Sequence, residues 1–242
     1  MAILDNEAGL FSQASEKLYE GAFDEALRLY ATSMHDEDVY GSMKGYCAMG
    51  ITFYLKGDIP MAIKCYTVCS RFAVLQFPEL LQDYQAMLKG DAEAKERLLT
   101  RCFYLAGDWG WSASRARMAE KNESPDDDHE RLYRDLVMGR RGEDSLSQDE
   151  KLQYGQRMLE CRKIGYDFMF DDFQKMIDDR ESTTAEMKAW IAEIFEVVKK
   201  LVIAAHTSDS DDEAKAPAPW GRRRKGMQRF LICEVDCWDG EA

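Results

Sequence analysis

The chain has 242 residues, of which 45% are hydrophobic, enough for one large folded domain or two small ones. Its 45 aspartate and glutamate residues outnumber its 32 lysine and arginine residues, which gives a net charge of −13. An acidic surface disfavours general nucleic-acid binding, so we expect no nucleic-acid partner. It suits a soluble cytoplasmic protein, or a protein whose partner has basic segments.

Neither a secretory signal nor a membrane segment is visible in the sequence. The N-terminal residues lack a basic start and an apolar core, and no run of about 18 apolar residues occurs. The seven cysteines are scattered and odd in number, which favours reduced thiols over a disulfide framework. We therefore expect a cytoplasmic protein without membrane insertion. None of the three histidines lies beside a cysteine pair, so we predict no metal site and no cofactor.

A short pattern recurs along the first half of the chain. It consists of a glycine, an apolar residue two positions later, a small residue, and an aromatic residue one turn further on. The second copy begins 36 residues after the first, and a weaker third copy begins 50 residues after the second. Recurrence of this kind is typical of repeat architectures. The three copies contain Gly21, Phe23, Ala26 and Tyr30; Gly57, Ile59, Ala62 and Tyr66; and Gly107, Trp109, Ser112 and Ala116.

Each copy has the sequence features of a helical hairpin. An amphipathic helix precedes the glycine, and the glycine permits a left-handed turn that a side chain would oppose. A second amphipathic helix follows, in which a small residue, Ala26 or Ala62, lets the two backbones approach closely. Because such a hairpin cannot bury its apolar face alone, we expect the copies to stack on one another.

The second copy resembles the tetratricopeptide repeat. In that family an early aromatic residue is followed by a small residue, an aromatic residue, a glycine turn, an alanine and a late aromatic residue. The resemblance covers about residues 7–120 and implies an all-α fold in which about three hairpins form an α-solenoid. The second copy matches the family pattern at Tyr46, Gly50, Phe53, Gly57, Ala62, Tyr66 and the small Cys69. The first copy keeps Ala14, Gly21, Phe23, Ala26 and Tyr30 but has Leu10 and Lys17 where aromatic residues are usual.

The longer spacing before the third copy predicts an additional short helix. Pro78 can begin this helix and Gly90 can end it, so we expect the array to be distorted at this point. Its apolar side would consist of Leu80, Leu81, Tyr84 and Leu88.

At least three more helices are predicted in the second half of the chain. The first has Ser124 as its N-cap and ends at Gly139. The second begins with a capping box formed by Ser147 and Glu150, and its apolar residues keep helical spacing beyond Gly165.

The third of these helices is predicted to begin with a second capping box, formed by Thr183 and Glu186. It carries one continuous apolar stripe, which is typical of a core helix and fits the terminal cap of a helix array. A homodimer contact through this stripe is the alternative. The stripe consists of Met187, Trp190, Ile191, Ile194, Phe195, Val198, Leu201 and Val202.

The composition changes after His206. Residues 207–242 combine acidic residues, a Pro-Ala segment and a basic run, which is typical of a disordered linker and tail. The basic run at 222–225 could bind nucleic acid or an acidic partner, but a solvated tail balanced by the acidic residues before it is the favoured interpretation. We therefore divide the chain into a repeat region (1–122), a C-terminal helical region (123–206) and a tail (207–242).

No phosphate loop, nucleotide fingerprint or nucleophile elbow is present, so we predict a non-catalytic protein. The resemblance implies a concave groove, formed by the first helix of each hairpin, that binds a segment of a protein or peptide partner. Some members of the family grip a C-terminal carboxylate with a lysine and asparagines, but here those positions hold Phe11, Ser15 and Ala48. The groove is predicted to be aromatic and aliphatic with a basic end. Its residues are Phe11, Ser15, Leu18, Tyr19, Lys44, Cys47, Ile51, Tyr54, Leu55, Arg97, Arg101 and Tyr104.

Three functions are open at the level of sequence. A scaffold or adaptor is the function that the repeat pattern favours. Three repeats in a small acidic chain are also similar to the class II chaperones of type III secretion systems, which cradle an extended segment of a translocator protein. The unequal spacing and the long C-terminal half depart from that group. An enzyme with an unrecognised site is the second alternative.

Overall fold

The computed structural model describes residues 2–34, 39–108 and 145–208. Within these ranges the protein is all-helical, as the sequence predicts, and contains no β-strand. The predicted helix that begins at Ser124 and the chain after Ser208 lie outside the described residues. The helices are α1 (Ala2–Tyr19), α2 (Phe23–Ser33), α3 (Val39–Lys56), α4 (Ile59–Gln76), α5 (Glu79–Leu88), α6 (Ala92–Asp108), α7 (Gln148–Asp178) and α8 (Arg180–Ser208).

The first two predicted hairpins are present. α1 packs against α2, and α3 packs against α4. The turns contain Gly21 with a φ of 78° and Gly57 with a φ of 92°, in the left-handed region that favours glycine. In the second turn the Asp58 carboxylate accepts a hydrogen bond from the Met61 backbone N–H at 3.3 Å and so caps α4.

Small residues lie where the paired helices meet. Ala26 and Ala62 are fully buried, as the repeat pattern predicts. The approach of α3 to α4 is very close at Gly50, because a Cβ atom at this position would lie 2.5 Å from the Tyr66 ring. A larger residue at position 50 would therefore force the two helices apart.

The predicted additional helix is confirmed as α5. It begins directly after Pro78 and is followed by Gly90, whose φ of 91° lets the chain reverse into α6. α5 and α6 then pack against each other as a third hairpin. Leu80 and Tyr84 are buried as expected, whereas Leu88 is 57% exposed.

The turn predicted at Gly107 is not at that residue. Gly107 lies inside α6, which continues to Asp108. α1 and α3 both end before the glycine of their repeat, whereas α6 continues past Gly107. The remainder of the third copy, including Trp109, Ser112 and Ala116, lies outside the described residues.

α7 begins with the predicted capping box. The Glu150 backbone N–H donates to Ser147 Oγ at 3.2 Å, and the Ser147 backbone N–H donates to the Glu150 carboxylate at 2.8 Å. The helix then continues without a break through Gly165 to Asp178. The two apolar segments on either side of Gly165 thus belong to one helix.

The capping box predicted for Thr183 and Glu186 is wrong, because α8 starts earlier. The Asp179 carboxylate accepts a hydrogen bond from the Ser182 backbone N–H at 2.9 Å and caps the helix instead. Inside the first turn, the Thr183 hydroxyl donates to the backbone carbonyls of Asp179 and Arg180, both at 2.9 Å. The Glu186 side chain is directed to another helix, as described below.

The C-terminal helices share one hydrophobic core with the N-terminal hairpins. α7 packs against α4, α5 and α6, and α8 packs against α2, α4 and α7. A single cluster of buried apolar residues contains members of all eight described helices. The core role predicted for the apolar stripe of α8 is confirmed, since Met187, Ile191, Ile194 and Val198 are at most 5% exposed.

Candidate functional site

The predicted groove residues of α1 differ in their surroundings. The Phe11 ring packs edge-on against Tyr30 with ring centroids 5.0 Å apart, and Ser15 Oγ lies 3.1 Å from Tyr30 Oη. These two residues therefore join α1 to α2 within the first hairpin. Leu18 is buried, whereas Tyr19 is 52% exposed. Among the four predicted residues of α1, Tyr19 is thus the one that a partner can reach most easily.

The predicted groove residues of α3 are partly in the core. Tyr54 is 4% and Leu55 is 5% exposed, so both side chains are covered by neighbouring parts of the protein. Lys44 is exposed, and Cys47 and Ile51 are half-buried. Because Lys44, Cys47 and Ile51 are spaced three and four positions apart, they lie on one side of the helix. We call Lys44, Cys47 and Ile51 the α3 row.

The two arginines predicted as the basic end of the groove are ion-paired. Arg97 Nη2 lies 2.9 Å from Asp83 Oδ1, and Arg101 Nη1 lies 2.8 Å from Asp83 Oδ2. The Asp83 side chain is only 9% exposed, so both guanidinium groups are directed into the contact between α5 and α6. Sequence reasoning missed this pairing because Asp83 belongs to the additional hairpin. The side chain of Tyr104 lies outside the described residues.

A buried charge cluster connects α4 with the C-terminal helices. Arg71 is fully buried, and its Nη2 donates to Asp172 Oδ1 at 3.0 Å and to Glu186 Oε2 at 2.7 Å. Its Nη1 donates to the Thr183 backbone carbonyl at 2.6 Å. The guanidinium also lies 5.0 Å from the centroid of the Trp190 ring, within the range of a cation–π contact. We call these five residues the Arg71 cluster.

The Arg71 cluster carries one positive and two negative charges. Asp172 is 4% exposed, and burial raises the pKa of its carboxyl group although the neighbouring Arg71 acts in the opposite direction. The cost of removing this carboxylate from water is therefore only partly offset by its ion pair. An arginine within the mostly apolar second half of α4 was the signal in the sequence that could have indicated such a cluster.

A shallow cleft of about 310 Å³ lies between α6 and α7. Its apolar lining includes Leu99, Phe103 and Tyr166. The Tyr166 hydroxyl donates to the Leu99 backbone carbonyl at 3.0 Å, which ties the two helices together. The Arg162 guanidinium lies 3.8 Å from the centroid of the Phe103 ring, which is 41% exposed. The lining also contains the polar residues Lys95, Glu96 and Thr100.

The described residues show no arrangement suited to metal chemistry, since no group of three or more His, Cys, Asp or Glu is placed to hold an ion. Burial raises the pKa values of the Cys65 and Cys69 thiols well above their usual range, and that of Cys102 to about 12. These buried thiols are protonated near neutral pH and are weak nucleophiles there. None of the helices in the described ranges is both long and apolar enough to cross a membrane.

Comparison of the chain with protein-family models, with curated proteins and with solved structures found no match. A functional interpretation therefore depends on the contacts described above and on the repeat pattern.

Proposed function

We propose that the chain is a non-catalytic protein-binding module in which tetratricopeptide-like hairpins present a surface to a segment of a partner protein. The observation that carries this proposal is the shared geometry of the α1–α2 and α3–α4 hairpins. Both turn at a glycine with positive φ, and both bury an alanine and a tyrosine at the same positions of the second helix. Two hairpins built to one pattern are the unit from which repeat scaffolds are assembled.

The arrangement of the C-terminal helices supports the choice of surface. α8 packs mainly on α2 and α4, which are the second helices of the two hairpins. The first helices, α1 and α3, carry the predicted groove residues. The proposed binding surface therefore lies on α1 and α3, and not on the hairpin helices against which α8 mainly packs.

The proposed surface consists of Tyr19 on α1 and the α3 row. Tyr19 supplies an aromatic ring that is 52% exposed, and the row supplies an aliphatic side chain and one cation. Aromatic side chains bury a large area at a low cost in side-chain entropy and often dominate interfaces. The net charge of −13 favours a partner segment with basic residues beside its apolar anchors.

Selection of peptides from a display library with the full chain, followed by titration calorimetry, tests the proposal. Tyr19→Ala should weaken binding of the selected peptides by about 5- to 150-fold, which corresponds to about 1–3 kcal/mol. Leu88→Ala is the matched control, because Leu88 is an equally exposed apolar residue on α5, at 57%. The proposal fails when no peptide is enriched, or when Leu88→Ala weakens binding and Tyr19→Ala does not.

A further inference from the structure

Three cysteines lie at the contact between α3 and α4. Cys65 and Cys69 on α4 are fully buried, and Cys47 on α3 is half-buried and belongs to the α3 row. Cys47 is part of the proposed binding surface, but the chemistry of the three thiols plays no part in the proposed binding. All three are free thiols.

The register of α3 along α4 is defined by two close contacts. Gly50 lies against the ring of Tyr66, where a Cβ atom would approach to 2.5 Å. The Tyr46 ring stacks on Phe72 with centroids 5.4 Å apart and an interplanar angle of 14°. On α3, Cys47 lies between these two contacts.

On α4, Cys69 lies between the same two contacts, so the antiparallel packing brings Cys47 and Cys69 opposite each other. Burial and the neighbouring Cys47 thiol both raise the pKa of Cys69, as expected when the two thiols lie near each other. A disulfide requires Cβ atoms about 3.5–4.5 Å apart, which helices in such close contact can provide. Cys65 is one turn away along α4 and borders the same site.

We propose that Cys47 and Cys69 form a peroxide-sensitive dithiol, in which oxidation links α3 to α4 by a disulfide within one hairpin. Cys47 is the residue that meets the oxidant, because its side chain is the accessible one of the pair. Cys69 is the resolving residue. The reaction places a reversible covalent bond on Cys47, one of the residues of the surface proposed to bind a partner.

The chemistry balances in two steps. The Cys47 sulfur attacks one oxygen of hydrogen peroxide, the O–O bond breaks, and the products are a Cys47 sulfenic acid and one water molecule. The Cys69 sulfur then attacks the sulfenic sulfur, the S–O bond breaks, and a second water molecule leaves with the Cys69 proton. Two thiols are oxidised by two electrons in total, and one peroxide is reduced. Because burial raises the pKa of Cys69, the second step should accelerate as the pH rises above neutral.

Peptide mapping of the peroxide-treated full chain tests the proposal. After denaturation, trypsin cleaves beside lysine and arginine, so Cys47 falls in peptide 45–56, and Cys65 and Cys69 fall in peptide 65–71. We expect a link between these two peptides that appears with peroxide and disappears with a reductant. Cys65→Ser should retain the link, and Cys69→Ser should lose it.

Cys47→Ser is the second variant, because it changes a half-buried residue and is less damaging to the core than Cys69→Ser. It should also lose the link and leave the helical circular dichroism spectrum unchanged. Cys102 is the internal control, since it is a buried thiol with no predicted partner and should stay reduced. Absence of the link in the oxidised wild-type chain overturns the proposal. A link that persists in Cys69→Ser and is lost in Cys65→Ser also overturns it.

Discussion

Replacing Arg71 with methionine is the perturbation that the structure predicts to be among the most damaging. The change keeps much of the apolar stem of the side chain but removes its hydrogen bonds to Asp172, Glu186 and the Thr183 carbonyl. Asp172, which is 4% exposed, would then be a buried carboxylate that has lost its ion pair with Arg71. Breaking a buried ion pair in this way costs about 3–5 kcal/mol. For a chain of this size the loss corresponds to a decrease in melting temperature of about 6–20 °C.

The second carboxylate of the cluster, Glu186, should contribute much less to the free energy of unfolding. The Glu186 side chain is 43% exposed, so its carboxylate stays hydrated without Arg71 and its charge causes little destabilisation. Glu186→Gln is therefore the matched control, with an expected cost of at most about 1 kcal/mol. Asp172 and Glu186 both accept hydrogen bonds from the Arg71 guanidinium. A difference in stability between the two substitutions would therefore be due to the difference in burial.

A double-mutant cycle measures the coupling. Replacing both partners with apolar residues, Arg71→Met with Asp172→Leu, removes the uncompensated charge and should recover at least about 2 kcal/mol relative to Arg71→Met alone. Urea denaturation followed by circular dichroism gives the four free energies of unfolding. The reasoning is refuted when Arg71→Met costs less than about 1 kcal/mol, or when the two substitutions add without coupling.

Four further predictions concern glycines and pH. Gly50→Ala should cost about 1–3 kcal/mol in urea denaturation, because its Cβ would lie 2.5 Å from the Tyr66 ring; a cost near zero would contradict the close approach. Gly57→Ala should cost about 1–2 kcal/mol by the same assay through its φ of 92° alone, since no atom lies within 4 Å of the added Cβ. Gly155 lies inside α7, and a Cβ atom there would also meet no atom within 4 Å. Gly155→Ala should therefore raise the free energy of unfolding by about 0.5–1 kcal/mol, and a decrease would show that α7 is strained there. Since the pKa of Asp172 is raised by folding, its stabilising contribution is present at acidic pH and is lost as the pH rises through the folded pKa. The stability of Asp172→Asn relative to wild type should therefore improve as the pH rises above the ordinary pKa of an aspartate, about 4, in parallel melts, and a flat difference would argue against the raised pKa.

Local features of the fold were predictable from sequence because each depends on a few neighbouring residues. The turns at Gly21 and Gly57 follow from a backbone conformation that other residues avoid. The start of α7 follows from a hydroxyl and a carboxylate three positions apart, Ser147 and Glu150. The second capping box was wrong because Asp179, four residues earlier, also supplies an N-cap and a sequence pattern does not rank two such candidates.

Long-range features of the site were not predictable in the same way. Helical periodicity shows which residues share one side of α3, but it does not show which neighbouring helices cover that side. Tyr54 was therefore predicted as an anchor for a peptide, yet its side chain is only 4% exposed. The ion pairs of Arg97 and Arg101 likewise depend on how α6 turns back along α5. This turn brings both arginines to Asp83.

The Arg71 cluster also has a consequence for synthesis of the chain. The hydrogen-bonding partners of Arg71 follow it by 101 to 115 residues. At a translation rate of about 5–20 residues per second, Arg71 is made at least about 5–20 s before Asp172. During that interval the α3–α4 hairpin can form from local contacts, but α7 and α8, which pack on α4, have not yet been made. The nascent protein therefore passes through a stage in which part of the apolar surface of α4 is exposed to the ribosome's surroundings, where such surface is prone to aggregation.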